Sequence, residues 1–330
     1  MRPPRLRSRL GALALLAAAA ACGFVERSLD STSSQTPPSD RLVWNTLASA
    51  PSRRTEVAAT VVQQDVYVVG GFGPGGATVS TVEVYRAGAG RWERGPDLPA
   101  PVNHAMAATL GGEPLLLGGY LGPSLERPSD RAFVLRGGRW AELPRMPEAR
   151  AAAGAATIGR SFYLAGGVGM DGLARSVLEF DGVRWRVRSE LPHPREHLGV
   201  ATDGSRLYVV GGRTPAGNLA IAERFDPADG RWETLPDLPT ARGGIGAAGT
   251  GDGRFIVVPG GEAQSTFEEV EAFDVRAGRW RSLPPLPTPR HGLGVVAIGS
   301  TIYVLAGGPQ PGFSFSDANE ALDLAPLTQD

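Results

Sequence analysis

The chain has 330 residues, 42% of them hydrophobic and 20% charged, with 45 Gly, 28 Pro and one Cys, a composition of a turn-rich globular protein with enough apolar residues for a large core. No lysine occurs anywhere, which excludes Schiff-base chemistry and a Gly-Lys-Ser/Thr phosphate loop. The net charge of −1 gives nucleic acid little general attraction, and no nucleic-acid partner is expected.

The N-terminus reads as a targeting segment over 1–21. Arg2, Arg5, Arg7 and Arg9 form a basic head, and Leu10 to Ala20 an apolar run short for a membrane span. The run "AAAAAC" ends at Cys22, and this small-residue stretch before the only cysteine resembles the lipobox of bacterial lipoproteins, with Ala19 where that family prefers Leu. The resemblance implies that the Cys22 thiol carries a diacylglycerol after cleavage, and hence a protein lipid-anchored to the cell envelope and touching membrane only through that anchor. Ordinary secretory cleavage near Ala21 is the alternative. With its sole thiol at the anchor, the folded part has no internal disulfide and no Cys-ligated metal. Residues 22–41 contain "STSSQTPPSD", too poor in apolar surface to fold, and are expected to be a flexible tether.

From residue 42 onward one unit repeats. Gly-Gly pairs fall at 70–71, 118–119, 166–167, 211–212, 260–261 and 307–308, and tryptophans at 44, 92, 140, 185, 232 and 280, both stepping by 45 to 49 residues. A unit contains a small-residue strand ("GLGVVAI"), a β-branched strand ending in Gly-Gly ("TIYVLAGG"), a third strand ("EEVEAFD") and a Trp strand ("RWRSLPPLP"). This period and strand content predict an all-β, six-bladed β-propeller of four-stranded blades over 42–324, with 325–330 a C-terminal tail. Small residues suit innermost strands that crowd an axis, and each Trp is expected to be core between blades, its indole N–H reaching a polar partner. The last unit lacks a Trp strand, and an unmatched one, "RLVWNTLAS", stands at 41–49. The last blade is therefore expected to close with the N-terminal Trp44 strand, leaving no open edge.

The double glycine, the acidic-aromatic strand after it and the spaced Trp resemble the kelch repeat, although "EPLLLGG" lacks the usual Tyr before its glycines. The resemblance agrees with the propeller. Function rests on one face, where the loops between fourth and first strands lie beside those that follow Gly-Gly. The first set carries an Arg column, Arg53, Arg150, Arg195, Arg242 and Arg290, with Val102 in the remaining unit and Arg54, Asn103, Ala151, Glu196, Gly243 and His291 beside it. Two roles fit the column: hydrogen bonds to carbonyls of adjacent loops, or a cationic mouth for carboxylate or sulfate. The expected binding residues are Phe72, Tyr120, Phe313 and Phe315 as apolar contacts and Arg195, Arg213 and His291 as orienting groups.

His104, His197 and His291 stand on different units with no spacing that forces metal geometry, and neither a metal nor another cofactor is expected. A kelch-type copper-radical oxidase needs a crosslinked Cys, which this chain lacks outside the lipobox motif. Exported sialic-acid epimerases are similar six-unit proteins, and Arg195, Glu196 and His197 are the candidates for such chemistry. The reading is a monomeric, envelope-anchored module that binds a protein, peptide or glycan, with a sugar epimerase or mutarotase, or a structural envelope protein, as alternatives.

Overall fold

The computed structural model describes residues 42–122 and 124–328; the targeting segment, Cys22, the tether and residues 329–330 lie outside the described residues. Six four-stranded antiparallel sheets succeed one another along the chain as the blades of a propeller. In the first, Ala58–Val62 is innermost, followed outward by Asp65–Val69, Val82–Arg86 and Arg91–Arg94. Innermost strands of successive blades touch in a closed circle, the last, Gly294–Ile298, reaching back to Ala58–Val62.

Both faces of the second and third strands pack against neighbouring blades, which is why "LYVV" and "VEAFD" read as continuous buried runs and not as alternating ones. The core is correspondingly divided. Each of six apolar clusters bridges one pair of adjacent blades; Phe255 and Val257 of the fifth blade, for instance, pack with Ile302, Val304 and Leu322 of the sixth. The innermost strands are small because they meet: a Cβ added at Gly154 would lie 2.4 Å from Val200 Cγ2, and one at Gly246 2.7 Å from Val295 Cγ2.

Closure follows the expected route. Asn319–Asp323, the third strand of the sixth blade, pairs with Trp44–Thr46, with Trp44 opposite Leu322 and Thr46 opposite Glu320. The tryptophans stitch blade to blade: the indoles of Trp44, Trp92, Trp140, Trp185 and Trp280 donate to the carbonyls of Pro284, Ala48, Pro96, Pro144 and Pro236, and Trp232 donates to Ser189 Oγ. Ala325–Thr328 forms a short helical turn that buries Leu327 in the cluster between the fifth and sixth blades, so the packed domain runs past residue 324.

The double glycine has a specific mechanical cause. The second glycine's N–H donates to the backbone carbonyl of the next blade, Gly71 to Val102, Gly119 to Arg150, Gly167 to Arg195, Gly212 to Arg242 and Gly261 to Arg290. A Cβ on the first glycine would collide with this same carbonyl; at Gly118, φ +59°, it would lie 2.1 Å from Arg150 O. In the sixth blade Gly307 makes the equivalent bond, to Arg54 O, and Ala306 takes the left-handed conformation of the first glycine, φ 54°. The structural pair is therefore Ala306–Gly307, one residue earlier than the Gly307–Gly308 pair suggests.

Candidate functional site

The arginine column belongs to the scaffold. Arg195 is fully buried: Nε donates to Gly211 O at 2.7 Å, Nη2 to Val209 O at 2.9 Å and Nη1 to Glu223 at 2.6 Å. Arg242 and Arg290 repeat this with Glu271 and Glu320, and Arg150 uses Gly166 O, Ser176 and Glu148. In the first blade the buried member is Arg54, on Gly70 O and Glu83, so the column is corrected by one residue from Arg53. The second blade carries Val102 for the arginine and Phe133 for the glutamate, and the two lie in one apolar cluster, an uncharged replacement for a buried ion pair. Arg195 has no donor left for a ligand, which removes it from the expected binding and catalytic sets.

The side chains that converge on the axis come from two residues further along. There Glu56, His104, Ala152, His197, Gly244 and Gly292 all have φ between 50° and 67°. Non-glycine residues take this left-handed region at a cost of roughly 1–2 kcal/mol each, so something must hold them there. A girdle of backbone bonds around the axis does so: His104 N donates to Glu56 O, Ala152 N to His104 O, His197 N to Ala152 O, Gly244 N to His197 O and Gly292 N to Gly244 O, at 2.9 to 3.3 Å, and Val57 N returns to Gly292 O. This girdle aims the Glu56, His104 and His197 side chains at one axial cavity of about 70 Å³. Beyond it the axis continues through a space of about 110 Å³ to a wider opening of about 280 Å³ on the other face, lined by Ala, Thr, Val and Gly alone.

Among the described residues that line the two openings, charge gathers at the first mouth. Glu56 Oε2 lies 3.3 Å from His104 Nε2 and 3.9 Å from His197 Nε2, and Glu56 Oε1 lies 3.7 Å from His291 Nε2. His197 Nδ1 bonds Glu196, and Arg213 joins two carboxylates, Nε to Glu196 at 2.8 Å and Nη1 to Glu262 at 2.9 Å. Burial pushes the His104 imidazole down to about 4, so it is neutral at neutral pH. For Glu196 burial acts upward, but His197 and Arg213 outweigh it and hold the carboxyl at about 2.

The other expected residues take distinct places. Phe72 and Tyr120 are buried and set edge-on against His104, each with ring centroids 5.7 Å away, so they wall the imidazole. Phe313 is 66% exposed and stacks edge-on against Phe72 at 5.1 Å, while Phe315 is half-buried. His291 is buried with its Nδ1 on Gly308 O. Arg213 is 32% exposed. Glu56 and Glu262 escaped the sequence reading. Because the first blade's register was one residue off, Glu56 did not line up with His104 and His197, although it stands one repeat length, 48 residues, before His104.

Residues 103–308 match the family model described as the KLHDC2/KLHL20/DRC7 Kelch-repeats domain, and residues 53–99 match the Kelch motif. Among curated proteins, the spermatocyte protein spe-26 of Caenorhabditis elegans is 34% identical over 79 residues, 24% of this chain, and the match spans 14% of that protein's length. The solved structure of YjhT is similar with a TM-score of 0.72 over 83% of this chain and 95% of that one, at 15% identity, a likeness of fold.

Proposed function

Because the chain belongs to the kelch-repeat family, whose propellers commonly serve in protein interaction, we propose that it is a binding module, exported and lipid-anchored to the cell envelope through Cys22, that takes an anionic or hydroxyl-rich end group of a protein, peptide or glycan at the axial mouth. The observation that carries the reading is Arg213: bonded to Glu196, the partner of His197 in the mouth, it is 32% exposed and its Nη2 has no protein partner among the described residues. A guanidinium already oriented by Glu196 and Glu262 offers a rigid donor to an arriving carboxylate or hydroxyl. Phe313 adds an exposed apolar edge.

The charged end of the axial channel is small, about 70 Å³ against the roughly 300–1,000 Å³ of pockets that enclose a small-molecule ligand, and suits an end group. The epimerase or mutarotase reading keeps one supporting observation, a Glu196–Arg213 pair within hydrogen-bond reach. A carboxyl held at about 2 is nevertheless a weak base at neutral pH. The test is an array of acidic and neutral glycans and peptides probed with the purified chain and with its Arg213→Ala and Phe313→Ala variants. Binding lost in Arg213→Ala, with the variant still folded at the assay temperature by its melting curve, supports the mouth. Full binding in both variants refutes it and directs attention to the cleft of about 530 Å³ beside Glu148, Met170 and Arg175.

A further inference from the structure

We propose that the mouth binds a divalent transition-metal ion of the zinc class through Glu56 Oε2, His104 Nε2 and His197 Nε2, with a further coordination position open to the axial cavity. This goes beyond the ligand reading and does not depend on it.

The first argument is the direction of the lone pairs. Asn103 Nδ2 donates to Thr78 Oγ1 at 2.9 Å and to Gly122 O at 3.1 Å, which turns its Oδ1 toward His104 Nδ1, 2.7 Å away. An amide oxygen only accepts, so His104 Nδ1 carries the hydrogen of this bond and Nε2 is the ring nitrogen turned toward the axis. His197 is fixed in the same way, with Nδ1 on the Glu196 carboxylate and Nε2 inward. Glu196 is in turn held by Arg213. Two imidazoles, each anchored at Nδ1 by an oxygen acceptor and each turning Nε2 toward one carboxylate, reproduce the outer-sphere arrangement that orients metal-ligating histidines. Without a cation, His104 Nε2 and Glu56 Oε2 face each other at 3.3 Å as acceptor against acceptor unless a proton lies between them.

Distance and charge agree. The three ligand atoms lie within 4.8 Å of one another. Zinc bonds of about 2.0–2.2 Å in a tetrahedron place neighbouring ligand atoms about 3.4 Å apart. The Glu56–His104 pair, at 3.3 Å, is already there, and the 3.9 Å Glu56–His197 pair needs a closure of about half an ångström. The carboxylates of Glu56, Glu196 and Glu262 gather around the ligand atoms and Arg213 joins only the latter two, which leaves Glu56 without a guanidinium partner, a surrounding that suits a cation. Two nitrogen donors select against calcium and magnesium, which prefer all-oxygen shells. The adjoining cavity of about 70 Å³ has room for water, as an open coordination position requires.

The experiment uses the purified full-length chain after stripping with a chelator. Zinc chloride is titrated calorimetrically, cobalt chloride is followed by its visible ligand-field absorption, and calcium chloride is the comparison. The expected result is one equivalent of zinc, at least ~100-fold tighter than calcium, with a cobalt spectrum of low symmetry. Glu56→Gln and His197→Gln should each lower zinc affinity by at least ~10-fold and Asn103→Ala by ~10-fold, with folding checked by circular dichroism. His193→Gln, on an imidazole that bonds Glu223 away from the mouth, should change nothing. Absence of zinc binding to the wild-type chain overturns the proposal without reference to any variant. So does calcium binding as tight as zinc, or unchanged zinc affinity in both Glu56→Gln and His197→Gln.

Discussion

Deleting residues 42–50 tests how the propeller closes, and its cost can be assembled from the contacts. Leu42 is buried in the cluster between the fifth and sixth blades, and losing such a side chain costs about 2–5 kcal/mol. Trp44 packs on the same cluster, pairs with Leu322 and donates to Pro284 O, and half-burial of its ring adds roughly 2 kcal/mol. Ala48 O accepts both the Trp92 indole N–H and Asn319 Nδ2, and unsatisfied donors cost about 1–3 kcal/mol each when water does not replace the partner. The backbone bonds of Leu47 and Ala50 to Asn319 O and Asp317 O vanish as well. The total, on the order of 6–13 kcal/mol, is comparable with the 5–15 kcal/mol that holds an ordinary domain folded. The deletion should therefore abolish the cooperative melt seen by calorimetry and near-ultraviolet circular dichroism, while deleting 23–38 leaves it in place. An unchanged midpoint after removal of 42–50 would refute closure by the N-terminal strand.

Three further outcomes are expected. Arg195→Ala leaves Glu223 buried beside a lost partner and should cost about 3–5 kcal/mol in chemical denaturation, whereas Arg213→Ala, on a one-third exposed guanidinium whose carboxylate partners keep some contact with water, should cost less, about 1–3 kcal/mol; equal losses would contradict the division between scaffold and mouth. Gly118→Ala places a Cβ 2.1 Å from Arg150 O and should destabilise more than Gly138→Ala, where nothing lies within 4 Å of the added atom, as read by paired melting curves. Wild-type chain should incorporate a labelled fatty acid and sediment with membranes, and Cys22→Ser should lose both; a wild type that takes no label and stays soluble refutes the anchor.

The sequence by itself determined the six blades, the order of strands within each and the closing role of the Trp44 strand, because these rest on local patterns repeated in phase. A β-branched run, a double glycine and a Trp each report a short-range need of one blade, and six copies leave little room for another architecture. It also narrowed the Arg column to two roles without deciding between them. Tertiary structure decided that point by burying Arg54, Arg150, Arg195, Arg242 and Arg290 against carbonyls and carboxylates of their own blades. It also set two registers that adjacent like residues had masked, at Arg53–Arg54 and at Ala306–Gly307–Gly308. The convergence of Glu56, His104 and His197 was hidden for a different reason. They stand 48 and 93 residues apart along the chain, and only ring closure turns equivalent positions of separate blades into neighbours across one axis. Periodicity specifies which residues are equivalent; the radius of the closed ring specifies that they meet.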